Sequence, residues 1–430
     1  MTQPNMSLTN IAPADTVMSN RKQDTMWMLG LYGTAIGAGT LFLPIDAGLN
    51  GLFPLIIMAL LAFPMTYFSH QALCRFILSG SSNDNDFTDV VIEHFGQTAG
   101  NILTFLYFFS IYPILLMYSV AITNTTHSFI TNQLGIEAPP RAILAFLLMM
   151  ALLIIVRFGQ DVIVKTISLM VYPFIFVLVM LSIYLIPHWN VAFFQQGSIV
   201  HQTASHNLIT TLWLLFPVLV FSFSHTPIIP SFATNQKQRF GEMANKKSST
   251  ILRYSHLMMV GTVMFFVFSC VFSLSPQDLA LAKEQNISIL SYLANHFDSP
   301  IIRYVTPIVA FIAISKSFLG HYIGANESLH GILNKSLNEK HKTANHKIIK
   351  SVIELFMIIT CWGVATINPS ILGMIESLGG PAIAIILFLM PMYAIVKVPA
   401  LKKYRNRLSN AFVTVSGLIS LSAILYGLFG

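Results

Sequence analysis

An all-α protein threaded repeatedly through a membrane is the fold class this chain predicts, and three observations carry the prediction. Of its 430 residues, 54% are hydrophobic and only 10% charged, where soluble domains carry about 25% charged residues. Eleven apolar stretches approach the length of about 20 residues that a helix needs to cross a bilayer. Lysine and arginine collect on alternate connections between those stretches.

The spans are expected near 26–48, 52–78, 100–128, 141–157, 163–186, 208–231, 251–274, 300–326, 347–367, 372–396 and 409–429. The fifth (ISLMVYPFIFVLVMLSIYLI) and seventh (LMMVGTVMFFVFSCVFSL) read as plain lipid-compatible helices. Residues 1–24 are polar and lack the basic-then-apolar pattern of a cleaved signal, so the chain is expected to start in the cytosol with its first span retained. On that footing 20 of the 24 Lys and Arg fall on the cytosolic side. Arg141, Lys283 and Arg303 fall on the other side, and Lys316 lies inside a span. This is the positive-inside bias. It predicts a cytosolic N-terminus and a periplasmic C-terminus, and it explains the net charge of +7 without any nucleic-acid partner.

The longest connections are too short for a separate soluble core. Residues 81–96 read as a turn followed by a short amphipathic helix. Residues 275–297 read as helical, with Ser275 as N-cap and Pro276 at the first helical position, packed on the outer surface through Leu279, Leu290, Leu293 and Phe297 as scaffolding, with a lid the competing role. Cys74, Cys270 and Cys361 sit in or beside apolar runs with no metal-ligand spacing, and are expected to be buried thiols. No metal and no cofactor is expected.

Two spans are expected to come apart midway. The first carries Gly30, Gly33, Gly37 and Gly39 in LGLYGTAIGAGTLFLPI (29–45), flanked by Thr34 and Thr40. Each glycine costs a helix interior about 1 kcal/mol relative to alanine. The sixth, WLLFPVLVFSFSHTPIIPSF (213–232), holds Pro217, Pro227 and Pro230 around a polar centre. A proline inside a span removes a backbone hydrogen bond, and irregular backbone survives at membrane depth only beside protein or a cavity. These spans open two five-span blocks. Interrupted segments at matching places in two halves point to a transporter binding site. Accordingly the chain divides into a tail (1–24), a first half (25–186), a periplasmic loop (187–207), a second half (208–396), and a cytosolic loop with one further helix (397–430).

The stretches DTMWMLGLYGTAIGAGTLFLPI, FSFSHTPIIPSF, AKEQNISILSYLANHF and NPSILGMIESLGGP resemble the hydroxy and aromatic amino acid permease family of the amino acid/polyamine/organocation superfamily, and within it the bacterial proton–serine symporters. The likeness runs from about Arg21 to the end. It implies a leucine-transporter-like fold, a five-plus-five inverted repeat with the first and sixth spans unwound and one extra helix. It also implies alternating-access symport of L-serine with protons across the inner membrane, with L-threonine a second cargo. Sodium coupling or an aromatic substrate is the alternative within the fold, and a channel is the weaker reading. No nucleophile–base pair, metal cluster or phosphate loop suggests an enzyme.

An amino acid zwitterion needs donors for its carboxylate and acceptors for its ammonium. The N–H groups of Ala38, Gly39 and Thr40 would open the outer half of the first span, where the positive helix end suits a carboxylate. Carbonyls near Thr34 and Ala35, and those of Phe221 and Ser224, are the ammonium candidates. By resemblance, the matching first-span positions are Ala35, Gly37 and Gly39. Ser224, His225 and Thr226 are candidates for the substrate hydroxyl, with His225 as kink-stabiliser the competing role. Tyr118 is the candidate among Tyr107, Tyr112 and Tyr118 of the third span.

The eighth span, YVTPIVAFIAISKSFLGHYIGANE, places Lys316 near mid-membrane, where a charge costs about 2.5–3.5 kcal/mol and marks a functional hypothesis. Sodium-coupled relatives of the fold build an ion site from positions that correspond here to Gly33, Ile36, Ala313, Lys316 and Ser317. Lysine at one hydroxyl position departs from that pattern. It implies that the ammonium replaces sodium, donating to the Gly33 and Ile36 carbonyls and to Ser317. His321, Asn326 and Glu327 are read as an exit relay or interfacial groups, Lys165 as snorkelling, and Asp46 and Glu376 as gating or capping residues.

Overall fold

Helices occupy all eleven expected stretches in the computed structural model, which describes residues 14–83, 87–157, 160–190, 207–336, 342–375 and 380–429. No strand occurs among these described residues. The first span is two helices, α1 (Ala14–Ala35) and α2 (Ala38–Leu49), followed by α3 (Leu52–Leu78), α4 (Phe87–Ser128), α5 (Arg141–Arg157) and α6 (Gln160–Leu185). The sixth span is again two, α7 (Leu208–Phe223) and α8 (Ile229–Phe240), joined by a 3-10 turn over Thr226–Ile228. After them come α9 (Ala244–Ser273), α10 (Pro276–Glu284), α11 (Ile289–His296), α12 (Pro300–Ser336) and α13 (Lys342–Ile367). The tenth stretch is segmented, from α14 (Ile371–Met374) through α15 (Gly380–Ile383) and a wide π turn to α16 (Met390–Lys397), and α17 (Arg407–Phe429) closes the chain.

Eight helices among the described residues are long and apolar enough to cross a membrane. The bent pair of the first span makes a ninth, and Arg141–Val156 and Leu208–Phe223 are apolar but shorter. Outward-facing Phe53, Leu60, Leu169 and Ile367 are each more than 70% exposed, as lipid contact requires. The amphipathic segment at 87–95 buries Phe87, Val90 and Val91 and is set off from the rest of α4 by Gly96, whose φ of +82° is open to glycine.

The stretch 275–297 is two helices rather than one. Ser275 and Asp278 form a capping box at the start of α10, as the sequence suggested for Ser275. Asn286, at φ 54°, then turns the chain into α11, asparagine being among the few side chains that tolerate this left-handed backbone. Leu279, Leu290 and Leu293 are fully buried beneath the pair.

The broken spans lie at the centre and run antiparallel to one another. α1 pairs with α8, Trp27 Nε1 donating to Asn235 Oδ1 at 2.8 Å and stacking obliquely on Phe232 at 5.5 Å. α2 pairs with α7, Thr40 Oγ1 donating to the Ser222 carbonyl at 3.2 Å and Ser222 Oγ to the Gly39 carbonyl at 3.1 Å. This crosswise pairing is what an inverted repeat demands.

Candidate functional site

Both interruptions fall where the glycines and prolines placed them. The backbone ladder of α1 ends with Ile36 N–H on the Tyr32 carbonyl, and that of α2 begins with Leu41 N–H on Gly37. The two helix axes differ by 52°. The first N–H groups of α2, those of Ala38, Gly39 and Thr40, have no partner one turn back within the helix, and the carbonyls of Thr34 and Ala35 end α1. Thr34 turns its hydroxyl onto the Gly30 carbonyl at 2.8 Å, so its side chain serves its own helix.

Two glycines give the backbone its exposure. A Cβ on Gly37 would lie 2.5 Å from Tyr118 Oη and 2.6 Å from Ser317 Oγ. A Cβ on Gly39 would lie 2.7 Å from the Phe221 ring and 3.0 Å from Ser222 Cα. The third, sixth and eighth spans therefore close on the first-span break through Tyr118, Phe221 and Ser317, all buried. Tyr118 also meets the ring edge of His321 at 5.0 Å.

In the sixth span Ser224 is extended and its N–H takes the Phe221 carbonyl, leaving that oxygen one further lone pair for an ammonium. Ser224 Oγ and Thr226 Oγ1 bond each other at 2.9 Å, forming a buried hydroxyl pair beside the break. His225 is fully buried at the break. Its ring lies between the second and seventh spans, stacked on His70 at 3.8 Å and 9°, with Nδ1 on the Phe223 carbonyl at 3.2 Å. That is the geometry of its alternative role, stabilising the break.

The eighth span corrects a detail of the ion-site expectation. Ser317 Oγ donates to the Ile36 carbonyl at 2.9 Å, with Ala313 fully buried one turn earlier and Gly33 buried on α1. Lys316 Nζ makes no hydrogen bond to Gly33, Ile36 or Ser317 or to any other described residue. It sits 5.0 Å from the centroid of Phe174 on α6 while only 2% exposed. Adjacent helix positions point about 100° apart, so a helix that turns Ser317 to the first span must turn Lys316 to the fifth.

Several participants were not singled out from sequence: Phe174, His70 and His256. The donor atoms of His70, His225 and His256 lie within 4.8 Å of one another. The near-parallel rings of His70 and His225 hold their in-plane lone pairs side by side and not toward a common point, so the three are not arranged as one ligand set. The side chains of Ala38 and Lys165, and all of Glu376, lie outside the described residues. Two cavities of mixed lining occur among the described residues. One of about 310 Å³ begins at Pro227 and Tyr107 and reaches Asp89 and Glu327. One of about 570 Å³ lies among Asn124, Arg141, Tyr292 and Asn368.

Residues 25–428 match the tryptophan/tyrosine permease family. The chain is 60% identical to the serine transporter SdaC of Escherichia coli strain K12, over 97% of this chain and 98% of that one. It is 59% identical over the same shares to the protein of that name from Shigella flexneri. A manganese transporter of Eremococcus coleocola superposes with a TM-score of 0.61 at 11% identity, over 98% of this chain and 90% of that one. MhsT in complex with L-phenylalanine superposes with a TM-score of 0.57 at 14% identity, over 94% and 97%. The likeness to these structures is one of fold, and with the paired breaks it gives this chain the leucine-transporter-like architecture. The named relatives are transporters and not enzymes.

Proposed function

The chain belongs to the tryptophan/tyrosine permease family, and from that premise we propose that it is a proton-coupled symporter of L-serine. It works in the bacterial inner membrane with its N-terminus in the cytosol and its C-terminus in the periplasm, and L-threonine is its second cargo. The observation that carries the reading is the pair of facing breaks. N–H groups at Ala38–Thr40 receive the carboxylate, and carbonyls at Thr34, Ala35, Phe221 and Ser224 receive the ammonium. The Ser224–Thr226 hydroxyl pair offers a partner for the substrate hydroxyl. A site that bonds a substrate hydroxyl rejects analogues lacking one, because its own polar groups are left unpaired. Walls of Phe221, Tyr118 and Ser317 within about 3 Å of the glycine positions leave room for a small side chain in preference to an indole.

Lys316 is the group assigned to the coupled proton. It is buried among apolar neighbours beside the bond from Ser317 to Ile36 that braces the eighth span on the first. Gaining or losing its charge there alters how α12 lies against α6 and α1, and so the freedom of α1 to move. Each proton entering contributes about 2.3 kcal/mol per 100 mV, equivalent to nearly two decades of substrate gradient.

Labelled serine uptake into proteoliposomes, competed by a panel of amino acids, tests the substrate. Serine should compete fully, threonine partly and tryptophan not at all, and competition by tryptophan alone would overturn the assignment. Replacing sodium by choline should leave uptake unchanged. Lys316→Ala should abolish uphill accumulation driven by a proton gradient, and accumulation at the wild-type level would remove Lys316 from the mechanism.

A further inference from the structure

Unwinding the sixth span strands a backbone donor. In a continuous helix the His225 N–H would bond the Phe221 carbonyl, but that oxygen accepts from Ser224 N–H at 3.2 Å. A buried N–H without an acceptor costs about 1–3 kcal/mol. Here the acceptor comes from another span, since the His225 N–H donates to His70 Nε2, 155 residues away in sequence, at 3.1 Å.

The bond requires one protonation state of His70. Its Nδ1 lies 2.8 Å from the Thr66 carbonyl, which can only accept, so Nδ1 carries the ring proton and Nε2 presents its lone pair to His225. An imidazolium would set N–H against N–H. His225 and His256 show the same arrangement, Nδ1 on the carbonyls of Phe223 and Leu252, and their Nε2 atoms are buried without a partner among the described residues. The titratable groups facing His70 among the described residues are His225 from the sixth span and His256 from the seventh, at ring separations of 3.8 and 5.4 Å. Tyr67, Cys74 and Arg75 are the titratable groups on its own helix. Among the described residues, the groups within ligand distance of one another here are the three imidazoles, with no carboxylate joining them.

We propose that His70 is the positioning residue of the sixth-span break. As a neutral Nδ1–H imidazole it holds the unwound Ser224–Thr226 segment in its ligand-receiving form, and a proton on its Nε2 releases that segment. The Ser222–Gly39 and Thr40–Ser222 bonds fix the break from the first span, and His70 fixes it from the second. The inference rests on the serine reading above for its ligand, but not for its hydrogen bond.

The test is equilibrium binding of labelled L-serine to the purified full chain with no gradient present, from about pH 8 down to the lowest pH at which the chain stays folded. Wild-type affinity should fall on the acid side. His70→Gln, whose amide oxygen can stand in for Nε2 without titrating, should bind within about threefold of wild type at neutral pH and lose the acid fall. His70→Leu should bind roughly tenfold or more weakly at every pH, the loss expected for one unpaired buried amide. Wild-type affinity in the leucine variant, or an unchanged acid fall in the glutamine variant, overturns the proposal. Should the leucine variant fail to fold, 15N spectra of histidine-labelled wild type decide, because a protonated His70 Nε2 at neutral pH refutes it. A wild type that binds no serine at any pH sinks the substrate reading alone, and the spectra then still test the hydrogen bond.

Discussion

Alanine at Gly37 is the substitution that most directly probes the first-span break. Its φ is negative, so backbone handedness does not demand glycine, and space does. The added methyl would sit 2.5 Å from Tyr118 Oη, 2.6 Å from Ser317 Oγ and 2.8 Å from Ser317 Cβ. An ordinary contact begins near 3.4 Å, so something must withdraw by most of an ångström. Ser317 cannot do so without surrendering its bond to the Ile36 carbonyl, and Tyr118 is buried with 3% exposure. Overpacking of this kind costs about 1–3 kcal/mol, which corresponds to roughly a 5- to 160-fold loss of serine affinity if the strain falls on the binding form. Gly30, seven residues earlier on α1, supplies the control. A Cβ there meets only Ile228 Cδ1, at 3.9 Å, an ordinary contact, and alanine suits a helix interior better by about 1 kcal/mol. Binding and melting are measured together on Gly37→Ala and Gly30→Ala. Gly30→Ala should bind normally and melt no lower than wild type, while Gly37→Ala loses affinity. Wild-type binding by Gly37→Ala, or equal losses in both variants, would refute the reasoning.

Ser317→Ala removes the one hydroxyl that bonds the Ile36 carbonyl. Melting should fall by the equivalent of about 1–3 kcal/mol, with serine uptake reduced more than the amount of folded protein. Ser222→Ala should weaken serine binding by a few-fold, the effect of about 0.5–1.5 kcal/mol for one hydrogen bond, because the Gly39 carbonyl loses its donor from the sixth span. Asp278 lies in the connection outside the spans. Burial acts to raise its pKa, but the hydroxyl and amide of Ser275, the Tyr292 hydroxyl and His296 outweigh it and hold the carboxyl below the ordinary 3.8. A depressed carboxylate stabilises the fold above its unfolded pKa and loses that contribution as pH falls through its folded one. Asp278→Asn should therefore melt below wild type at neutral pH, the gap closing as pH drops below about 4. A gap independent of pH would contradict this.

What the sequence disclosed and what it withheld divide along a physical line. The breaks were legible because glycine and proline act on their own backbone, and Gly37, Gly39, Pro227 and Pro230 mark the interruptions to within a few residues. Lys316 was legible as a charge in an apolar run. Its direction was not, since the rotational phase of α12 is set by what packs on it, and Ser317 took the face toward Ile36. His70 and His256 were single polar residues on apolar helices, and only the tertiary approach of three spans gives them company. The division at Asn286 had a local signal, an asparagine prone to the left-handed turn, which the reading of 275–297 as helical did not use.

The bonds between Trp27 and Asn235 and between Thr40 and Ser222 have a consequence for motion. Each half of a broken span is fastened to a half from the other repeat. The seam along which the molecule can shear therefore does not follow the boundary between its two duplicated halves. Any displacement at Ile36–Gly37 or Ser224–His225 that keeps these bonds carries α1 together with α8 and α2 together with α7.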